Sequence, residues 1–197
     1  MKNYGYNKLE FRQTSEIAET TIATVSLKRC EVSDIDRISQ FYQYVCETTK
    51  NMELFGKWIY GLHPTKKQIE CYIKSCFMYS FEKNGEILGA VAITPFQETE
   101  YQDIDWQIAC HNNEVSVIHL LAVSPNHQGC GIARNIMHSA IDIAKSNNSK
   151  AVRLDALSCN APAHRLYQSI GFEKISICNW YTDNVGNAEF YLFELPL

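Results

Sequence analysis

Along the chain, the densest apolar run is Val117 to Val123, and Ser124-Pro125-Asn126 stops it. Its length and β-branched content predict a buried central strand, since proline cannot donate to a ladder and asparagine favours turns. Upstream, Ala23 to Cys30 alternates like a first strand. Ser33 as N-cap, with Asp36 in a capping-box place, predicts a helix to about Lys50 whose inward face is Ile35, Ile38, Phe41, Tyr42 and Val45. Thr65 caps a second helix, about Lys66 to Cys76, with Ile69, Tyr72 and Ile73 on one face. Phe77 to Thr94 predicts a hairpin, because Asn84-Gly85 between apolar runs is the residue pair a type I′ turn requires.

Beyond the central strand, Arg134 to about Ser146 carries Ile136, Met137, Ala140, Ile141 and Ala144 at helical spacing and ends at Asn147-Asn148-Ser149. Ala151 to Leu157 then reads as a strand, so strand, helix and strand predict a parallel pair joined by a crossover. Asn160-Ala-Pro-Ala opens a short helix through Ile170, with Pro162 in its first turn and Gly171 just past its end. Phe172 to Cys178 and Ala188 to Leu195 form a last antiparallel pair across Asp183 to Gly186.

Two stretches break the pattern. Asn51 to Pro64 holds Met52, Leu54, Phe55, Trp58, Ile59 and Tyr60, which predicts either a short helix packed on the core or a wall of a substrate pocket. Gln97 to Asn113, rich in Glu98, Glu100, Asp103 and Asp105, reads as an irregular excursion; with Glu114 these acids would draw a cationic substrate or simply be solvated. Residues 1–22 are polar and aperiodic and read as an N-terminal extension to a single domain over 23–197.

The chemistry concentrates after the central strand. Consecutive N–H groups from Gln128 to Arg134 would be the unpaired donors of a helix N-terminus, and the missing Cβ of Gly129 and Gly131 would let an anion approach them. Phosphate groups fit that description. A dinucleotide fingerprint would need a third glycine where Arg134 stands, and a P-loop would need Gly-Lys-Ser/Thr, so neither pattern applies.

Composition narrows the classes. A chain of 197 residues is long enough for one domain with a sizeable core, and its net charge of -4 without basic runs argues against a nucleic-acid partner. The N-terminus has no apolar signal core, and no stretch approaches the roughly 18 apolar residues of a membrane span, so a cytoplasmic protein is expected. The eight cysteines show no CxxC pairing and the six histidines no HxxxH spacing, which predicts reduced thiols and no metal.

Gln128-x-x-Gly131-x-Ala133 directly after an Ala-Val-Ser-Pro strand end resembles the acyl-CoA-binding motif of the GNAT-type N-acetyltransferase superfamily. The resemblance runs over roughly residues 25–195 and extends to Asn160-x-x-Ala163-x-x-x-Tyr167 and Gly171-Phe172. It implies an α/β fold (α+β), with a mixed central sheet of about six to seven strands and about four helices. It also implies acetyl-CoA as cosubstrate. Main chain of Leu121, Ala122 and Val123 would bind the pantetheine arm like an added strand, and Gln128, Gly129, Cys130, Gly131, Ile132, Ala133 and Arg134 would hold the pyrophosphate. Asn160 and Ala163 would contact the CoA arm, and Tyr167 would lie near the thiol as general acid. Relatives place lysine or arginine where Cys130 stands, and Arg134 is the available substitute.

Read without the resemblance, Asn160 is also a good N-cap for its own helix and Tyr167 a half-buried core aromatic. For the proton taken from an acceptor amine the sequence offers His119 and Glu114; His119 equally suits an ordinary sheet histidine, alternating with Val117 and Leu121, and Glu114 a solvated acid. The implied reaction is direct attack of a primary amine, of a small molecule or a protein, on acetyl-CoA. A module that binds acyl-CoA without turnover and an interaction scaffold stand beside it, and a homodimer is left open.

Overall fold

The computed structural model describes residues 26–197, so the extension over 1–22 and the expected strand start at Ala23 lie outside the described residues. The strands are β1 (Leu27–Arg29), β2 (Met78–Lys83), β3 (Glu86–Thr94), β4 (Val115–Val123), β5 (Ala151–Leu157), β6 (Glu173–Thr182) and β7 (Gly186–Pro196). The helices are α1 (Ile35–Thr48), α2 (Lys66–Lys74), α3 (Ile132–Ser146) and α4 (Ala161–Ile170). The sheet order is β1-β2-β3-β4-β5-β7-β6, with β4 and β5 parallel and every other neighbour antiparallel. This is the mixed sheet the sequence predicts.

Side-chain alternation along β3 shows how two layers share one sheet. Ala90 and Ala92 face α1 and α2, packing with Ile38, Tyr42, Val45, Ile69 and Ile73. Val91 and Ile93 face the other way, against Ile136, Met137, Ala140 and Ile141 of α3. The small residues on one side and branched ones on the other let helices close on both faces.

Local signals hold in most places. The Thr65 hydroxyl accepts the Gln68 N–H at 3.0 Å while the Gln68 side chain accepts the Thr65 N–H at 2.8 Å, a reciprocal cap. Asn84 and Gly85 take φ of 52° and 82°, the left-handed pair of a type I′ turn. Two expectations fail. Ser33 is not the cap of α1: a 3-10 turn, Val32–Asp34, precedes that helix, and the Asp34 carboxylate accepts the Glu31 N–H at 2.9 Å. The Asp34 carboxylate closes the 3-10 turn, and α1 continues from that turn with no side-chain cap of its own. Nor is 51–64 a helix; it is a string of turns with Asn51 and Lys57 at positive φ and an isolated bridge between Ile59 and His63. Gly56, Gly61 and Pro64 interrupt any helical run there.

The excursion over 97–113 is irregular, as expected, and Arg153 of β5 pins it. That buried guanidinium bonds Glu194 at 2.8 Å and the Ile108 carbonyl at 2.8 Å, pairs with Gln97, and lies 4.2 Å over the Trp106 ring.

The feature that positions the site is a bulge in β4. Ala90 pairs with Ala122 and Ala92 with His119, so three steps of β4 oppose two of β3. Leu120 carries the strain, with φ of 51°, and its carbonyl accepts the buried Tyr42 hydroxyl at 2.6 Å. β4 pairs with β5 only from Val115 to Val117, whereas β5 stays paired with β7 along its whole length. Past the bulge β4 and β5 part, and α3 and α4 both begin beyond this open end.

Candidate functional site

The parting of β4 and β5 opens a cleft of about 700 Å³, lined by Ile118 to Leu121 and Val123 on one side and Asp155 to Leu157 on the other. One end is mostly backbone. Gly129 and Gly131 both have φ of 77°, and a Cβ added to either would meet nothing within 4 Å. Backbone conformation therefore demands glycine, and the space beside it is open to a ligand. The Asn135 N–H reaches back to the Gly131 carbonyl at 3.1 Å, while the N–H groups of Ile132, Ala133 and Arg134 in the first turn of α3 have no intrahelical acceptor. With the dipole of a 15-residue helix behind them, these donors favour an anion. The residues present thus fit the phosphates of CoA.

Gln128, Gly129, Gly131, Ile132, Ala133 and Arg134 all line the cleft with Leu121 and Val123, as the motif requires. Two members of the expected set do not. Ala122 turns its methyl into the α1/α2 layer and its backbone pairs with Ala90, because alternation points every second residue of β4 away. Cys130 is exposed and opens onto a separate depression with Asn84, Asn135 and His138. Arg134 donates to the Ser169 hydroxyl at 2.8 Å and its carbonyl at 3.3 Å, tying α3 to α4. Both acceptors are neutral, so its charge is still uncompensated.

On α4, Asn160 caps its helix, accepting the Ala163 N–H at 3.3 Å, and both residues line the cleft. Its capping and ligand-facing roles coexist. Tyr167 packs edge-on against Phe193 at 5.5 Å and reaches the same cleft, 7% exposed. Burial pushes its phenol above the ordinary range and the Asp155 charge adds to the shift, so it is a protonated donor at neutral pH.

The other end is built from side chains. His119 Nε2 lies 3.2 Å from Glu98 Oε1 and 3.4 Å from the Thr94 hydroxyl, and its ring stacks on Tyr72 at 5.7 Å. Burial would raise the Glu98 carboxyl, yet the hydrogen bond and charge of His119 hold it below its ordinary value. The bulge breaks the expected alternation: His119 meets Tyr72 of α2 whereas Leu121 packs on the α3 side. His63 stands on Trp58 at 5.9 Å, and burial lowers its pKa, partly offset by Asp155. Asp155 Oδ1 accepts the Tyr101 hydroxyl at 2.6 Å.

Glu114 is not brought here. It pairs with Lys150 at 2.7 Å and accepts the His111 N–H at 2.8 Å, at the start of β4 and the far end from the cleft. Both contacts hold its carboxyl below the ordinary range, the Lys150 bond foremost, so it is a clamp between turns. Of the other acids of the excursion, Glu100, Asp103 and Asp105 are exposed, and only Glu98 turns inward.

Sequence reading passed over Asp155, His63, Tyr72 and Trp180, all of which line the cleft. A signal for Asp155 existed: it and Arg153 are charges at alternate positions of an otherwise apolar strand, and a buried charge needs a partner or a ligand. The other three carry no local signature. Among the described residues no group of three His, Cys, Asp or Glu side chains is placed to hold a metal, and no helix is long and apolar enough to cross a membrane.

Comparison with known proteins agrees with this geometry. The model of the acetyltransferase (GNAT) family matches residues 34–172. Danio rerio N-acetylaspartate synthetase is 28% identical over 126 residues, 62% of this chain and 39% of that protein. An uncharacterized N-acetyltransferase of Methanocaldococcus jannaschii is 26% identical over 159 residues, 78% of this chain and 62% of its own length. The [ribosomal protein bS18]-alanine N-acetyltransferase of Escherichia coli is 30% identical over 78 residues, 39% of this chain and 53% of that enzyme. The chain thus spans less than two thirds of the length of these curated relatives. Among solved structures, the Escherichia coli ribosomal-protein-S18-alanine N-acetyltransferase superposes with a TM-score of 0.63 at 17% identity, covering 88% of this chain and 94% of that one. The Salmonella typhimurium yncA protein, solved with its cofactor acetyl-CoA, superposes with a TM-score of 0.63 at 16% identity, covering 88% and 94%. The family match, over most of the folded residues, and the shared architecture place the chain in the GNAT family of acetyltransferases.

Proposed function

We propose that the protein transfers the acetyl group of acetyl-CoA to a primary amine by direct attack in a ternary complex. The observation that carries this reading is one cleft holding, at one end, an anion-binding helix N-terminus and, at the other, a histidine held by a carboxylate, with Tyr167 lining the same space. The loop from Gln128 to Arg134 holds the phosphates, and the parted main chain of β4 lies along the pantetheine arm.

With its Nε2–H given to Glu98, His119 keeps Nδ1 as the acceptor for a proton from the arriving ammonium. The freed amine attacks the thioester carbonyl; the C–N bond forms, the C–S bond breaks, nitrogen's second proton restores the phenol of Tyr167 once that has protonated sulfur, and His119 passes the first to solvent. Tyr167 gives a proton to the departing sulfur. Overall an ammonium and acetyl-CoA give an amide, CoA thiol and one proton, and no covalent acyl-enzyme is needed. Placing both reactants in one cleft supplies much of the rate.

Cys130 opening away from the cleft and Arg134 engaged by Ser169 favour a second reading, a module that binds acyl-CoA without turnover. Thiol release from acetyl-CoA, measured across a panel of primary amines, separates the two. Release that requires an amine and yields the N-acetyl product supports transfer; tight CoA binding with no release for any amine leaves the module.

A further inference from the structure

Among the described residues Asp155 is the one carboxylate lining the cleft, and none of them gives it a lysine or arginine partner. Arg153, two residues earlier, is consumed by Glu194 and Gln97, and Arg134, the sole lysine or arginine among the described residues that lines the cleft, stands at the end with the helix N-terminus. Its Oδ1 is fixed by Tyr101, itself buried and stacked on Trp106 at 5.6 Å, while Oδ2 makes no hydrogen bond among the described residues. His63, Tyr72 and Tyr167 line the same cleft from three separate segments. A partly buried carboxylate without a cationic partner, beside aromatic rings, attracts a cation, which the ring faces also favour.

The walls limit what that cation is attached to. Trp58, Tyr72 and Trp180 present flat apolar surfaces to the cleft. The two segments bordering this end are joined: the Asn184 side-chain amide donates to the Lys57 carbonyl at 2.8 Å, and the Cys159 thiol to the Phe55 carbonyl at 3.6 Å. Gly56 and Asn184 of the bridged turns line the cleft, so the joined turns wall this end, where a polypeptide acceptor would need an open groove for the rest of its chain.

We propose that Asp155 selects the acceptor, and that the acceptor is a small primary amine on a flat apolar body, bound as its ammonium, and not a protein N-terminus. This rests on the acetyltransferase reading and adds to it the class of amine. With the ammonium on Asp155, His119, which lines the same cleft, relieves it of a proton.

The test uses the full chain loaded with CoA and three probes: 2-phenylethylamine, its neutral analogue 2-phenylethanol, and an alanyl tripeptide with a free N-terminus. Calorimetry on the wild type should show the amine binding at least about tenfold more tightly than the alcohol and the tripeptide. Asp155→Asn, which keeps an acceptor for Tyr101, should bring amine and alcohol within about twofold while leaving the CoA dissociation constant unchanged. Tyr101→Phe, which frees Oδ1, should weaken the amine by a smaller factor. Equal binding of amine and alcohol by the wild type, an amine preference that survives Asp155→Asn, tripeptide binding as tight as the amine, or no binding of the amine at millimolar concentration would each overturn the proposal. Amine binding that depends on Asp155 without thiol release would instead sink the acetyltransferase reading and leave the amine site standing.

Discussion

The two ends of the cleft are made in opposite ways. The end proposed to hold the phosphates is one continuous stretch, Gln128 to Arg134, which offers main-chain donors and two left-handed glycines to the cleft. The other end draws on six segments: Trp58 and His63 from the turns after α1, Tyr72 from α2, His119 from β4, Asp155 from β5 and Trp180 from β6 line it, while Glu98 and Tyr101 of the excursion hold His119 and Asp155 from behind. Their polarity is also opposite, a helix N-terminus and Arg134 against Asp155 and Glu98. A backbone site tolerates changes to most of its side chains and binds one invariant group, whereas a side-chain site can be respecified residue by residue. That division suits a scaffold whose cosubstrate is fixed and whose acceptor varies.

The largest expected effect comes from putting a side chain where the backbone end has none. Gly131→Glu places a carboxylate beside the phosphates, where like charges about 4 Å apart repel by about 4 kcal/mol at the effective dielectric of a protein surface. The left-handed backbone adds a strain of about 1–2 kcal/mol to folding, so circular dichroism must confirm that the variant is folded. CoA binding should fall by a factor of about 10³ or more. A folded variant with an unchanged dissociation constant would mean that the phosphates lie elsewhere.

Next in size is His119→Gln, which tests the side-chain end. It keeps a hydrogen bond to Glu98 but cannot take a proton, and kcat should drop by a factor of about 10² to 10³ while CoA affinity holds. The same pair has a stability consequence. The Glu98 carboxyl is held low in the folded state, so the pair stabilises the fold above the ordinary carboxylate range, and that contribution is lost as pH falls through the lowered value. Wild type and variant should therefore differ in melting temperature at neutral pH and converge in acid.

The contrast explains what could be read from the chain alone. The loop was legible because backbone binding leaves a contiguous signature: a strand that ends at Ser124-Pro125, glycines at fixed spacing, a helix that follows. The hairpin at Asn84-Gly85 and the cap at Thr65 were legible for the same local reason. The acceptor end was not, because Tyr72, Trp180 and His63 become neighbours of Asp155 only through tertiary packing, and each taken singly is an ordinary core aromatic or histidine. His119 was found by residue type, but its face was misjudged, since a bulge cannot be inferred from period-two alternation. Glu114 was misplaced for a related reason. Proximity in sequence to the central strand put it at the strand's wrong end, beside Lys150.

Tyr167→Phe comes third, because Tyr167 lines the cleft from α4 between the two ends. Removing the hydroxyl keeps the ring on Phe193, so stability and CoA affinity should change little. General acids contribute about 10² to 10⁴, but a CoA thiolate is a good leaving group that water can protonate, so a loss near 10² in kcat with little change in KM is expected. Wild-type kcat under conditions where chemistry limits the rate would reduce Tyr167 to packing.

The smallest effect should come from restoring a cation to the loop with Cys130→Lys. Were side-chain charge the basis of phosphate binding, this substitution would tighten CoA by orders of magnitude, since it supplies a cation at the N-terminus of α3. The geometry argues otherwise. Cys130 is exposed and opens away from the cleft, so a lysine at that position reaches the phosphates only through solvent, on a flexible stem that loses entropy if it is held. An exposed pair of this kind is worth at most about 1 kcal/mol, which corresponds to about fivefold in the dissociation constant. It should also fade as salt rises, because charges in solvent are screened over about 8 Å at physiological ionic strength, whereas binding to N–H groups at close range persists. Titrations of CoA at low and at physiological salt give both numbers. A salt-independent gain of a hundredfold would show that the loop was short of a charge and that its backbone carries less of the binding than the paired glycines imply.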